Sequence, residues 1–293
     1  MTKRVFRTLL LMLFGLPCCA AIHFLSIQGF SESDSVHEPN HSLNTLTPEE
    51  ESAGWSLLFD GKTTRGWRGF RKPDFPSDCW TVSGGALQRI RAAGGKREEC
   101  GDIVTVEQYD NFEFQLEWKM EPGGNSGVKY LVLEERPASW EQAYFDYHLK
   151  SLKKSGRNEP PEKLKPERWK YMAMGFELQL IDDEKNADAR VHRNRLTGGL
   201  YDLIAPREKA NISRTGFNSA RVVVRGNHIE HWINDSKVIE FERGSQQLRQ
   251  LTGASKFQHL VGFGSAARGH IALQDHNSEV WFRNIKIRRL AGN

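Results

Sequence analysis

Several signatures are missing from this 293-residue chain, and each absence closes a class. There is no P-loop, no Rossmann glycine fingerprint and no strand–helix–strand alternation, so a nucleotide-binding α/β fold is excluded. No CxxC pair occurs, which argues against a cysteine zinc site. No internal repeat is evident. A clustered basic face is also lacking. The net charge is only +4, and it is unevenly spread. The first 30 residues carry Lys3, Arg4 and Arg7 and no acid, whereas residues 31–54 carry six acids and no Lys or Arg, which leaves about +7 on residues 55–293. Much of that excess falls between Lys150 and Lys170, where eight Lys or Arg face three Glu. An excess this modest gives little support for a nucleic-acid partner, and none is expected.

What is present begins with an export-like N-terminus. "MTKRVFR" is a basic stretch, and "TLLLMLFGLPCCAA" is a short apolar run ending in small residues. Three outcomes are open for residues 1–21: cleavage after Ala20 or Ala21, lipidation at Cys18 or Cys19 in a poor lipobox, and an uncleaved anchor that tethers the chain to a membrane. The expected location is periplasmic, cell-surface or secreted. Residues 22–54 then read as an acidic linker, too poor in apolar side chains to fold. Two cysteines remain, Cys79 and Cys100. In an oxidising compartment they can pair, closing a loop of about 20 residues worth about 3 kcal/mol in the chain-entropy account; the alternative is two free thiols.

From Trp55 onward strand signals dominate. "NFEFQLEWKM" alternates, with Phe112, Phe114, Leu116, Trp118 and Met120 on one face and Glu113, Gln115, Glu117 and Lys119 on the other. "GVKYLVLE", "MGFELQLIDD", "ARVVVRG", "HIEHWIN", "KVIEFER", "HLVGFGS", "HIALQD" and "VWFRNIKIRRL" follow, divided by Gly, Asn and Asp turns. The expected fold is all-β, an antiparallel sandwich spanning residues 55–293. Residues 134–173 break the pattern. Residues 138–153 are helix-compatible and the Pro-rich remainder is not, so the segment reads as an insertion, either a lid or binding loop or a solvated excursion.

In a two-sheet sandwich a site must form on the outward phase of neighbouring strands. In "FELQLIDD" Phe176, Leu178 and Leu180 share the core phase, while Glu177 and Gln179 point together to the other face, roughly 7 Å apart. A carboxylate and an amide so placed suit sugar hydroxyls or a proton transfer, although an ordinary solvated face has the same pattern. In "HIALQDH", His270, Ala272, Gln274 and His276 share the outward phase if the strand stays regular, with His276 able to exchange protons near neutrality. Asp275 and Asn277 alternatively serve a turn. "HIEHWIN" presents either His231 or Trp232 to a ligand, and burial of Trp232 fits equally. Within "GGNSG", Asn125 or Ser126 can reach a ligand. Asp182, Asp183 and Asp188 offer oxygen ligands for calcium, without EF-hand spacing; His192 has no evident partner.

Six motifs in order carry a resemblance: "WSLLFDGKTTRGWR", "FEFQLEWKMEPGGNSGVKY", "FELQLIDDE", "TGGLYDLIAP", "RVVVRGNHIEHWIND" and "HIALQDHNSEVWFRNIKI". Together they resemble the 3-keto-disaccharide hydrolase domain family across residues 55–290. The resemblance implies a concanavalin A-like jelly roll of two curved antiparallel sheets with a carbohydrate groove. It also implies export and action on glycosides already oxidised to a ketone at C3. Mapped here, Glu177 and His276 become the acid/base candidates. Gln179, Gln274, Asn125, Lys129, Tyr201, Trp232, His231 and Asp182 become substrate-binding candidates, with Lys129 as a cation for an enolate. No cofactor is required by this scheme, and a divalent metal is admissible. The competing functions are a non-catalytic carbohydrate-binding module and an adhesion domain with a filled groove.

Overall fold

The computed structural model describes residues 42–90, 100–154 and 170–292. The export or anchor segment, most of the acidic stretch and the basic Pro-rich run of the insertion lie outside the described residues. In chain order the elements are helix α1 (Pro48–Ser52) and strands β1 (Trp55–Leu57), β2 (Trp67–Gly69), β3 (Trp80–Ser83), β4 (Ala86–Arg89), β5 (Ile103–Thr105), β6 (Phe112–Met120) and β7 (Asn125–Val132). Helix α2 (Ala138–Lys154) follows, then β8 (Phe176–Ile181), β9 (Asn218–Arg225), β10 (His228–Ile233) and β11 (Ser236–Glu242), helix α3 (Gln246–Gly253), β12 (His270–Leu273) and β13 (Val280–Arg289).

Two antiparallel sheets result, the architecture of a jelly-roll sandwich. The larger runs β11-β10-β9-β6-β13-β4-β3, with β1 added on β13; the smaller runs β2-β5-β12-β7-β8. The alternation of β6 explains its place. Phe112, Phe114, Leu116 and Trp118 are at most 1% exposed, facing Val128, Tyr130, Phe176, Leu178, Leu180, Ile271 and Leu273 of the smaller sheet within one core. Each such large apolar side chain contributes about 1.5–3 kcal/mol by leaving water. The opposite phase of β6 is tied by ions: Glu113 to Arg221 at 2.8 Å and Glu117 to Arg283 at 2.7 Å.

Cys79 and Cys100 are joined as a disulfide, with Cα atoms 5.7 Å apart. Residues 42–54, expected within a disordered linker, are instead ordered against the sandwich. Thr47 and Glu50 form a reciprocal capping box that starts α1. Asn44 and Asn284 exchange backbone-to-side-chain hydrogen bonds of 2.7 and 2.8 Å, and Asn44 donates to the Gly85 carbonyl. Polar capping, rather than apolar burial, holds this segment, which is why its poverty in apolar residues misled.

Candidate active site

The outer face of the smaller sheet carries the chemistry. Strand register aligns Arg68 with Val104, Val104 with Ala272, Ala272 with Lys129 and Lys129 with Glu177, so one cross-strand row spans all five strands. The next row sets Gly127 against Gln179, and Gln274 joins it by donating its backbone N–H to the Gly127 carbonyl at 3.0 Å. Asn125, Lys129, Glu177 and Gln179 thus share the phase opposite the core, yet each is at most 7% exposed. Ala173, Tyr201, Tyr144 of α2 and Lys256 border them, through the Lys129–Ala173 and Tyr201–Glu177 hydrogen bonds and through their effect on the charges of Lys129 and Glu177. Trp140 and Tyr144, one turn apart on α2, supply its buried face, and Arg68 and Arg71 tie the start of the insertion down through Glu134 and Glu141.

Burial is tolerated because each charge is answered. Lys129 Nζ donates to Asp102 Oδ2 at 2.8 Å and to the Ala173 carbonyl at 3.0 Å. Asp102 also accepts the N–H groups of Ala173 and Asp275. Burial works against the Lys129 ammonium, but the charges of Asp102 and Glu177 outweigh it and raise its pKa. Burial raises the Glu177 carboxyl above the ordinary range; Lys129 and Lys256 oppose that rise, while Asp102 and Asp188 add to it. The Gln179 amide fits its surroundings with nitrogen donating to Glu177 Oε1 and to the Ser126 carbonyl, 3.1 Å each. Glu177 lies across Gly127: a Cβ built there would fall 2.4 Å from Glu177 Oε1.

A second group borders the first. Tyr201 donates its hydroxyl to Asp188 at 2.8 Å, and Arg195 bridges Asp188 and Asp202 at 2.5 and 2.8 Å. Lys256 stands 4.0 Å over the Tyr201 ring and 3.4 Å from the Tyr144 hydroxyl. Burial pulls its ammonium down to about 8, against the charges of Glu177, Asp202 and Asp188. A carboxylate raised and an ammonium lowered beside one another form the pairing from which proton transfer and oxyanion binding are built.

A model of the 3-keto-alpha-glucoside-1,2-lyase-like domain matches residues 54–288. The chain is also 30% identical to a 3-keto-disaccharide hydrolase of Bacteroides thetaiotaomicron over 308 residues, covering 94% of this chain and 98% of that protein. The chain belongs to this family. A crystal structure of a candidate glycosyl hydrolase from Parabacteroides distasonis aligns with a TM-score of 0.64 at 28% identity, over 85% of this chain and 100% of that one. Another from the same organism, with a TM-score of 0.50 at 18% identity over 81% and 84%, shares the fold. Membership of the 3-keto-alpha-glucoside-1,2-lyase-like family makes the chain a carbohydrate-active enzyme of glycoside-hydrolase type.

Within this family member the structure separates the sequence-predicted residues. Glu177, Gln179, Asn125, Lys129, Gln274 and Tyr201 come together. Trp232 does not: it lies on the outer face of the larger sheet, with the Arg221 guanidinium 4.0 Å over its ring and its indole N–H on Glu230. His231 is fully buried between the sheets, its Nε2 2.7 Å from the Tyr130 hydroxyl and its Nδ1 3.1 Å from the Gly198 carbonyl, and burial lowers its pKa to about 4. It is a core residue because its phase is that of Ile229 and Ile233. Asp182 fixes a turn, accepting the N–H groups of Gly123, Glu184 and Lys185.

β12 ends at Leu273, so the regular strand assumed for His276 is not there, and His276 is exposed in the following turn. Asp275 keeps the inward phase of Ile271 and Leu273, pairing with Arg89 of β4 at 2.7 Å, both nearly or fully buried, and accepts the N–H of Asn277. Of the three aspartates offered for calcium, Asp183 accepts from Thr197 through one oxygen, Asp188 is held by Arg195 and Tyr201, and Asp182 by backbone. The one His/carboxylate trio close enough to hold an ion among the described residues, His228–Glu230–Glu240, is already filled by the Lys237 ammonium, 3.1 and 2.6 Å from the two glutamates. Asp102, Tyr144 and Lys256 were missed; none sits in a motif, and only the folded sheet brings them to Glu177.

Proposed function

We propose that this chain is an exported enzyme that cleaves glycosides oxidised at sugar C3, by elimination followed by hydration. The observation that carries the reading is the buried Glu177 carboxylate, oriented by Gln179 and flanked by two ammonium groups on the outer sheet face. A C3 ketone acidifies the C2 proton. Glu177 takes that proton, and its electron pair forms the C2–C3 double bond of an enediolate with negative charge on the C3 oxygen. Collapse of the enediolate re-forms the ketone, makes a C1–C2 double bond and expels the glycosidic oxygen, which receives a proton. Water then adds its hydroxyl to C1 and a proton to C2, so the sum is hydrolysis.

Burial makes Glu177 a stronger base than an exposed glutamate, and the Lys129–Asp102 pair keeps positive charge beside it. Asn125, Gln274 and Tyr201 border the same surface and orient sugar hydroxyls. His276, exposed beyond Gln274, is the proton donor proposed for the leaving oxygen. Export is supported by the basic-then-apolar N-terminus. The test is incubation of the purified protein with 3-keto-trehalose and 3-keto-glucosides, with and without chelator. Cleavage is expected with wild type, and its persistence or loss in chelator decides whether a divalent metal takes part. Glu177→Gln and His276→Ala are each expected to remove activity with the melting temperature nearly unchanged. Full activity in Glu177→Gln would refute the mechanism.

A further inference from the structure

We infer that Lys256 is the residue that binds the carbonyl oxygen of the oxidised sugar and holds the negative charge that develops there. The inference rests on the proposed reaction and departs from the expectation that Lys129 fills this role. Lys129 is already committed: two of its three N–H bonds go to Asp102 and Ala173, inside the sheet surface. Lys256 is not. Among the described residues its ammonium has one hydrogen-bond partner, the Tyr144 hydroxyl at 3.4 Å, and no carboxylate oxygen within 4.0 Å. A half-buried ammonium with donors to spare, resting on an aromatic face, is a preorganised site for an oxyanion.

Its position is over-determined by its neighbours. The Lys256 backbone N–H donates to Asp202 Oδ2 at 3.0 Å, and Arg195 holds both Asp202 and Asp188. Those guanidinium contacts neutralise the two aspartates that would otherwise capture the ammonium. Tyr201, below it, donates its hydroxyl hydrogen bond to Asp188, and the ring face rather than the hydroxyl is turned toward Lys256. The charged and titratable groups around Lys256 are therefore Glu177 from β8, Asp188, Arg195, Tyr201 and Asp202 from the loop after β8, and Tyr144 from α2. Of these, Glu177 is the carboxylate assigned to the C2 proton. Base and oxyanion donor are thus close enough for their charges to act on each other, as groups serving the neighbouring C2 and C3 of a sugar must be.

The test uses a 3-keto-1,5-anhydroglucitol, which has a C2 proton beside the ketone but no leaving group at C1. Its enolisation is read by NMR as exchange of the C2 proton in heavy water, and cleavage of a 3-keto-glucoside is followed in parallel. Lys256→Met should slow both about 10²–10³-fold, the loss expected for an oxyanion donor, mainly in kcat. Lys256→Arg should recover part of the rate. The wild-type rate should also fall as pH rises through about 8, where the ammonium is lost, and that limb should vanish in Lys256→Arg, whose guanidinium stays charged. Wild-type exchange undiminished in a folded Lys256→Met variant would overturn the inference and leave the mechanism standing. A covalent adduct trapped on Lys256 by borohydride in the presence of the keto-sugar would overturn it as well. Neither exchange nor cleavage by wild type would remove the proposed reaction itself.

Discussion

The contact between Gly127 and Glu177 allows a sharp test of whether the carboxylate's position matters. Gly127 sits in the middle of β7 with an ordinary strand conformation, so alanine is permitted by the backbone. The obstacle is the space above it. A Cβ at position 127 would lie 2.4 Å from Glu177 Oε1, 2.9 Å from Cγ and 3.0 Å from Cδ, where about 3.5–4 Å is comfortable. Because Cγ is struck as well as the oxygen, rotation of the carboxylate alone does not relieve the clash. The stem must move by about 1 Å, and Gln179 and Lys129 stand on either side of it. A displacement of that size at a reacting group costs about 10²-fold in rate.

Stability should behave differently. Gly→Ala narrows the unfolded ensemble and contributes about 0.4–1 kcal/mol in favour of folding, which offsets part of the about 1–3 kcal/mol that overpacking costs. Gly127→Ala is therefore expected to stay folded with a melting temperature lowered by only several degrees while kcat/KM on a 3-keto-glucoside falls about 100-fold. Calorimetry and a steady-state cleavage assay check the two halves separately. Full activity at unchanged stability would refute the claim that Glu177 acts from the position seen here.

Two further outcomes concern the frame. His231 is buried and neutral, its pKa lowered to about 4, so the unfolded chain binds the proton that the folded chain refuses. Stability should hold above pH 6.5 and decline as pH falls toward 4, by up to about 3 kcal/mol, as read by melting temperature against pH; a His231→Leu variant should show a shallower decline. Asp275→Ala should cost about 3–5 kcal/mol, because it strands the fully buried Arg89 without its charge partner, whereas a cost under 1 kcal/mol by chemical denaturation would show that the pair is dispensable.

Strand parity was legible where strands are long and clean. β6 and β8 could be read residue by residue, and with β8 came the pairing of Glu177 and Gln179. Register was not legible, because pairing between strands far apart in the chain leaves no local mark. Lys129 next to Glu177, and Asp102 next to Lys129, follow only once β5, β12, β7 and β8 are aligned. His231 stayed ambiguous because a histidine between two isoleucines satisfies both a core and a surface pattern; the Tyr130 hydroxyl and Gly198 carbonyl that settle it come from other strands. The polar triplet at Gln274, Asp275 and His276 resisted a parity reading for a physical reason. Asp275 points inward to Arg89, as the phase of Ile271 and Leu273 requires, but β12 already ends at Leu273, so alternation no longer places His276. Lys256 gave no signal at all, since a lysine in a turn after an amphipathic helix is ordinarily solvated.

The distribution of aromatic and ionisable groups over the two outer faces separates catalysis from simple sugar binding. A binding module presents an open aromatic plane on which a sugar ring can stack. The candidate for such a plane, Trp232, is on the larger sheet with Arg221 over its ring and Lys237 5.9 Å away, so that face is occupied by cations. The smaller sheet holds the opposite arrangement: Glu177, Lys129, Asp102 and Lys256 converge, and the aromatic rings nearby, Tyr144 and Tyr201, serve to position a cation and an acid–base hydrogen bond. Burying such groups is costly even when they are paired, and clusters of them with shifted pKa values gather at reacting sites. The insertion strengthens the argument, since α2 supplies the buried Tyr144 beside Lys256, and on the proposed mechanism a base is strongest, and an enediolate most stabilised by a fixed ammonium, where water is excluded.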